Sequence, residues 1–326
     1  MFKTKTIMYI IMMLGSMITV SSASWMGMWA GMEMNMMSII PLIKEKSSKT
    51  AEACMIYFLV QSLGSALFMM SCIMSISELM DKSTYNMLIM VSMLMKMGAA
   101  PFHMWFPEIL SKISWYNCML LMTWQKLAPL SVINSIVNNK LLVVFSVIAS
   151  VTVGSLGGLN QSSLKKIMAY SSIHHLGWML AVNEIQNESM KYLMIYSAIS
   201  VNISMMFMKY NMNYIHQINI MNLTPTEKIV MISSMLSLGG LPPFIGFLPK
   251  WMALQVLTQQ GLIVMMMIMI MSSLINLFYY TRILSLTIIM QSTKNKWMKA
   301  NHNKSLINSM LMVNMSLPLM MIMNFM

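Results

Sequence analysis

Four ionisable residues of this 326-residue chain stand near the middle of apolar runs: Glu33 in WAGMEMNMMSII, Lys96 in VSMLMKMGAAP, Lys126 in LMTWQKLAPL and Lys250 in GFLPKWMAL. A charge at the centre of a bilayer costs roughly 2.5–3.5 kcal/mol on insertion scales. Snorkelling relieves that cost within a turn or two of a helix end, which fits Lys250 better than Lys96 or Glu33. The other explanation is proton chemistry. Burial brings a lysine's proton exchange toward the physiological range, and a neighbouring carboxylate favours the charged form. A glutamate–lysine pair then holds a proton to a degree set by its separation, and further lysines serve as stepping stones. Sodium prefers clustered oxygens, which this set does not offer.

The elements that must position these groups are membrane helices. The chain is 57% hydrophobic and 9% charged, with a mean hydropathy of +0.66. Soluble domains carry about a quarter charged residues, so this composition reads as an all-α polytopic membrane protein. At about 20 apolar residues per span, the sequence predicts about 11 transmembrane helices. They fall near residues 6–23, 25–43, 53–76, 84–106, 114–137, 141–159, 165–183, 190–209, 226–258, 262–290 and 305–325, with the fourth and ninth interrupted. The cations test this count. Fifteen of the 21 lysines and arginines fall on the N-terminal side, and Lys82, Lys140 and Lys191 fall opposite. Positive residues favour the inner side, so the N-terminus is expected in the matrix or cytoplasm and the C-terminus across the membrane. Lys3 and Lys5 before an apolar run ending SSAS have the outline of a signal peptide. A further span follows directly, so a retained first helix is expected. The pI near 9.6 comes from lysines scattered through short loops, not from a clustered patch, and no nucleic-acid partner is expected.

The lysine-bearing spans contain a repeated break. GAAPFHMWFPE (Gly98–Glu108) and GLPPFIGFLPK (Gly240–Lys250) match at Gly98 and Gly240, Pro101 and Pro243, and Pro107 and Pro249, always 142 residues apart. They sit five spans apart and so run in opposite directions. Glycine- and proline-broken helices at matching positions of two inverted halves mark the ion pathway of a transporter. The expected organisation is a single membrane domain, 1–326. It comprises a first inverted half 1–140 with its broken helix near 98–108, a second half 141–290 with its broken helix near 240–250, and a C-terminal helix in 291–326.

Other residues carry less. His103 follows Pro101 and is a candidate relay member or a packed loop residue. His174 and His175 are about 100° apart on a helix, so at most one faces a pathway. His216 and His302 fall in loops. No two histidines face each other across spans, which argues against a haem cytochrome. Cys54, Cys72 and Cys118 form no CxxC pattern and give no disulfide framework, iron–sulfur or zinc site. With no GxGxxG and no P-loop, no cofactor-binding or metal-binding residue is expected on the chain. Moving a proton against the membrane potential costs roughly 2.3 kcal/mol per 100 mV, so energy must come from another gradient or from partner subunits. The 50 methionines and the single arginine, Arg282, point to an AT-rich genome that reads an isoleucine codon as methionine, as animal mitochondria do.

The segments GMEMNMMSIIPLI, KMGAAPFHMWFPEI, LLMTWQKLAPL, GGLNQSSLKKIMAYSSI and LSLGGLPPFIGFLPKW resemble NADH dehydrogenase (ubiquinone) subunit 2, the mitochondrially encoded antiporter-like subunit of respiratory complex I. The resemblance runs in order from about Trp25 to Trp251. It implies two inverted five-helix repeats, each with one discontinuous helix, in a form three N-terminal spans shorter than fourteen-span bacterial relatives. By resemblance, Glu33 and Lys96 match the glutamate–lysine pair of the first half-channel. Lys126 matches the central lysine and Lys250 the broken-helix lysine of the second half. His175 fits the family's histidine position and is a candidate relay residue, whereas His174 departs from a usual small residue. The implied activity is proton translocation by a subunit of NADH:ubiquinone reductase. NADH, FMN, iron–sulfur clusters and ubiquinone would then lie in partner subunits. Implied partners are other complex I membrane subunits, antiporter-like ones included, and membrane lipids with cardiolipin a candidate. The implied location is the mitochondrial inner membrane, N-terminus in the matrix and C-terminus in the intermembrane space. A stand-alone Mrp-like cation/proton antiporter and a non-pumping structural subunit share the architecture.

Overall fold

The computed structural model describes residues 2–45, 47–77, 81–136, 140–183, 188–220, 224–289 and 304–317. Among them the chain forms α1 (Phe2–Ser21), α2 (Trp25–Ile43), α3 (Ser48–Ser77), α4 (Lys82–Met97), α5 (Trp105–Lys112) and α6 (Trp115–Met122). A 3-10 turn (Trp124–Lys126) leads into α7 (Leu127–Asn134), α8 (Lys140–Leu159), α9 (Leu164–Ala181) and α10 (Glu188–Lys209). The short α11 (Gln217–Ile220) precedes α12 (Pro225–Gly239), α13 (Phe247–Gln260), α14 (Ile263–Ile289) and α15 (Lys304–Asn314).

Local chemistry fixes several of these ends. Ser24 caps α2 by accepting from Gly27 N at 3.2 Å. Thr224 and Glu227 form a reciprocal capping box at α12, with Pro225 at the first helical position where a missing N–H costs nothing. Arg282 on α14 donates to the carbonyls of Leu159 (2.6 Å) and Gln161 (2.9 Å), satisfying groups left open where α8 ends.

The packing is that of a membrane protein. Large apolar side chains face outward on α1, α3, α8 and α14, among them Ile10, Leu59, Phe145 and Phe278, while lysines and serines lie buried inside. Ser48–Ser77, Leu141–Leu159 and Ile263–Ser285 are each long and apolar enough to cross a bilayer on their own. The interior is rich in methionine (Met32, Met36, Met90, Met93 and Met97 among others), whose flexible thioethers fill irregular gaps between helices.

Two features differ from the sequence expectation. The span expected over 114–137 as one helix is divided into α6, the 3-10 turn and α7. Pro129 explains this, because it has no N–H with which to continue an α-helical bond back to Gln125. The short α11 lies where a loop was expected, held by Gln217, whose Oε1 accepts from the N–H groups of Asn213 and Tyr214. Of the span expected over 305–325, α15 covers the part to Asn314; residues 318–325 and His302 lie outside the described residues.

Candidate functional site

The two breaks are built alike. Gly98 ends α4 in the left-handed region (φ 70°), and Gly240 ends α12 in the same way (φ 77°). At the first, Gly98 N donates to Met95 O (3.2 Å) and Ala99 N to Leu94 O (3.0 Å). At the second, Gly240 N donates to Ser237 O (3.0 Å) and Leu241 N to Leu236 O (3.3 Å). Only glycine takes this conformation without strain, which is why both copies carry it. Past each break, Pro107 and Pro249 occupy the third position of α5 and α13, where an N–H has no intrahelical acceptor to lose. Pro101 and Pro243 lie in exposed turns between the limbs.

Lys96 lies in the last turn of α4, buried, with Nζ 3.7 Å from Met32 Sδ. Glu33 is half-buried on α2, one residue past Met32. Among the described residues no ion pair of 4.0 Å or less joins Glu33 to Lys96. Lys96 thus meets Met32 on α2 and makes no ion pair with its neighbour Glu33 among the described residues. Among the described residues the His103 side chain bonds only within its own turn, Nδ1 to Pro101 O at 3.2 Å.

Among the described residues Lys126 is the most deeply buried lysine, 1% exposed, on the 3-10 turn. Its ammonium donates to Ser172 O (3.1 Å) on α9 and lies 5.0 Å from the Tyr196 ring centroid and 5.6 Å from that of Phe106. Lys250, in the first turn of α13, donates back across the break to Gly239 O at 2.6 Å and lies 5.9 Å from the Trp178 ring. α9 thus contacts both lysines. Between them lie His175, whose Nδ1 shares a hydrogen bond with Tyr192 Oη (2.9 Å), and His174, whose Nε2 accepts from Trp178 Nε1 (3.3 Å). Both histidines are buried.

Among the described residues, Lys96, Lys126 and Lys250 have no carboxylate within ion-pair distance. Carbonyls, a thioether and aromatic faces receive them instead. Each ammonium has three N–H donors, so most of its capacity faces no strong protein acceptor.

Several residues packed around the lysines and the breaks carried no sequence signal. Gln125 and Asn35 are bonded across helices (Nε2 to Oδ1, 2.7 Å), and Gln61 Nε2 donates to Lys96 O (3.1 Å). Asn314 on α15 closes the second break: its carbonyl accepts from Ile245 N (3.3 Å), and Ser237 Oγ donates to its Oδ1 (3.3 Å). Neutral amides in apolar runs are unremarkable in composition, and only their tertiary partners mark them. The three cysteines are buried and free, and no cluster of three or more His, Cys, Asp or Glu suited to a metal is present among the described residues.

Paired helix breaks around a file of buried lysines define an antiporter-like membrane subunit. The same fold recurs in solved structures. A chain of respiratory complex I from Thermus thermophilus, determined with bound aureothin, superposes with a TM-score of 0.85 at 20% identity, covering 97% of this chain and 78% of that one. A chain of the Mrp complex from Dietzia sp. DQ12-45-1b gives a TM-score of 0.76 at 15% identity, over 85% of this chain and 59% of that one. The sequence is more specific. Residues 22–276 match the family described as NADH:quinone oxidoreductase/Mrp antiporter, TM. NADH-ubiquinone oxidoreductase chain 2 of Locusta migratoria is 40% identical over 93% of this chain and 91% of its own length. The protein of the same name from Anopheles gambiae is 40% identical over 95% and 93%. The chain belongs to the NADH-ubiquinone oxidoreductase chain 2 family.

Proposed function

We propose that this chain is a proton-translocating core membrane subunit of NADH:ubiquinone oxidoreductase (complex I), driven by electron transfer from NADH to ubiquinone in partner subunits. The observation that carries the reading is the set Lys96, Lys126 and Lys250: buried, without carboxylate contacts among the described residues, and placed beside two helix breaks of the same construction. Protons step along Lys96, Lys126 and Lys250, with Glu33 setting the charge balance at the entry and His175 linking the two later lysines through α9. His103 takes a place on this path only if the turn around Pro101 rearranges. No redox centre, NADH site or metal belongs to this chain in this reading; NADH, FMN, iron–sulfur clusters and ubiquinone belong to its partners.

The chain crosses the mitochondrial inner membrane eleven times, with residues 1–140 and 141–290 as inverted halves and the C-terminal helix beyond. The N-terminus faces the matrix and the C-terminus the intermembrane space. Its neighbours are other complex I membrane subunits, antiporter-like ones included. At the N-terminal end of the bundle, a groove of about 550 Å³ lined by Lys49, Lys112, Lys165 and Lys166 with Glu52 suits an anionic lipid headgroup such as that of cardiolipin.

The test is Lys96→Ala and Glu33→Gln in the assembled complex. Both should lower the protons moved per electron while electron transfer to an artificial acceptor persists; parental pumping in either would remove that residue from the pathway. The likeness to an Mrp complex favours one second reading, a self-standing cation/proton antiporter. Sodium- or potassium-dependent proton flux by the chain reconstituted alone would establish it instead.

A further inference from the structure

The two breaks are alike in construction but differ in what lies over them. At the first, Met104 in the turn between the limbs is 75% exposed, whereas its counterpart at the second, Gly246, is buried against Ser237. Ile245 is likewise buried where its counterpart, His103, is only half-buried. The C-terminal helix lies against the second turn. α15 packs on α10 and α12 through Ile307 and Met310, which join Met206 and Val230 in a small apolar cluster.

Asn314, the last residue of α15, is fully buried and reaches both limbs of this break. Its backbone carbonyl, one of the open acceptors of a helix C-terminus, takes the N–H of Ile245 at 3.3 Å, just ahead of α13. Ser233 and Ser237 stand one turn apart on α12 and meet its side chain. Asn314 Nδ2 donates to Ser233 Oγ (3.5 Å), and Ser237 Oγ shares its proton between Ser234 O (2.7 Å) and Asn314 Oδ1 (3.3 Å). One residue therefore ties the end of α12 to the start of α13. Lys250 spans the same gap, from the first turn of α13 to Gly239 O at 2.6 Å. A helix that only packed here would be better served by an apolar side chain, because burying an amide costs free energy unless it is bonded.

We infer that Asn314 is a positioning residue for Lys250: through it the C-terminal helix fixes the separation of the two limbs, and with it the reach of the Lys250 ammonium to Gly239 O. Asn314 neither gains nor loses a proton. It holds the two ends between which Lys250 is strung, so the helix that follows the second half is part of that half's working site. The inference rests on the reading above only in taking Lys250 to be on the proton pathway.

Leucine and glutamine are similar in size, so Asn314→Leu and Asn314→Gln separate hydrogen bonding from packing. In the assembled complex, coupled turnover should fall roughly three- to tenfold in Asn314→Leu, the worth of about one hydrogen bond, and stay within about twofold of the parent in Asn314→Gln. Electron transfer to an artificial acceptor should persist in both. Parental coupled turnover in assembled Asn314→Leu overturns the inference, and so does equal loss in the two variants, which a packing role predicts. If the leucine variant does not assemble, Ser233→Ala combined with Ser237→Ala decides, because it removes the α12 partners with little change in volume. Slowed coupled turnover there supports the assignment and a parental rate overturns it. Lys250→Ala separates the two levels. Normal pumping there removes Lys250 from the pathway and the positioning role with it, whereas loss there with parental turnover in Asn314→Leu removes only the role of Asn314.

Discussion

Gly240→Ala is expected to unseat Lys250, and the structure supplies its control. A Cβ at Gly240 would lie 2.7 Å from Lys250 Cδ, 2.8 Å from Nζ and 2.9 Å from Cε, distances that real Cβ contacts do not reach. The flexible end of the lysine must shift to clear it, and the shift disturbs its contact with Gly239 O, where it now sits at 2.6 Å. A hydrogen bond to a charged group contributes about 1.5–3 kcal/mol. The substitution also places alanine at φ 77°, a left-handed conformation that costs a non-glycine residue about 1–3 kcal/mol. Gly261 has almost the same backbone (φ 71°) with nothing within 4 Å of its added Cβ, so Gly261→Ala carries the strain alone. The difference between the variants is then the seating of Lys250, about 1.5–3 kcal/mol, or on the order of 10- to 100-fold in its occupancy at the break. Both should be measured in assembled complex in sealed inner-membrane vesicles, as protons moved per electron. Gly261→Ala should match the parent and Gly240→Ala should lose most of its coupled proton movement. A parental yield in assembled Gly240→Ala, or equal impairment of the two, would refute the placement of Lys250 on the pathway.

Gly246→Ala should abolish assembly, scored by native electrophoresis, because its Cβ would fall on the backbone carbonyl oxygen of Ser237. Arg282→Lys keeps at most one of the contacts to Leu159 O and Gln161 O and should cost about 1–2 kcal/mol, seen as faster thermal inactivation with an unchanged proton yield per electron. Glu227→Gln weakens the 3.0 Å pair with Lys209 while its amide oxygen can still accept from Thr224 N. A loss of about 1–2 kcal/mol is expected because Glu227 is buried and Lys209 partly exposed, and it should appear as a lower inactivation midpoint.

What the sequence revealed and what it hid follow from physical cost. Lys96, Lys126 and Lys250 were legible because a cation in an apolar run is expensive and therefore rare. The breaks were legible because glycine and proline recur there with one separation. The interruption before Lys126 was missed because a lone Pro129 within an apolar span fits a kinked continuous helix as well as a fresh start. Glu33 and Lys96 could be assigned to facing spans, but one residue of rotation is about 100°, enough to turn a direct pair into neighbours out of contact. Asn35, Gln61, Gln125 and Asn314 stayed hidden because a neutral amide costs little where its partner is supplied from a distant segment.

The repeat is preserved in electrostatics more than in residue position. Lys250 is the counterpart of Glu108 in the first copy, and the counterpart of Lys96 in the second is Leu238. One lysine therefore precedes its break and the other follows it. Yet both meet the same kind of field, because a helix C-terminus carries about half a negative charge on its open carbonyls. Lys96 gains it by standing in the last turn of α4. Lys250 starts α13, where the helix N-terminus would repel it, and escapes by reaching back to Gly239 O at the end of α12. In the second half this negative helix end holds an ammonium directly and without a carboxylate, whereas the Lys96 ammonium meets Met32 Sδ.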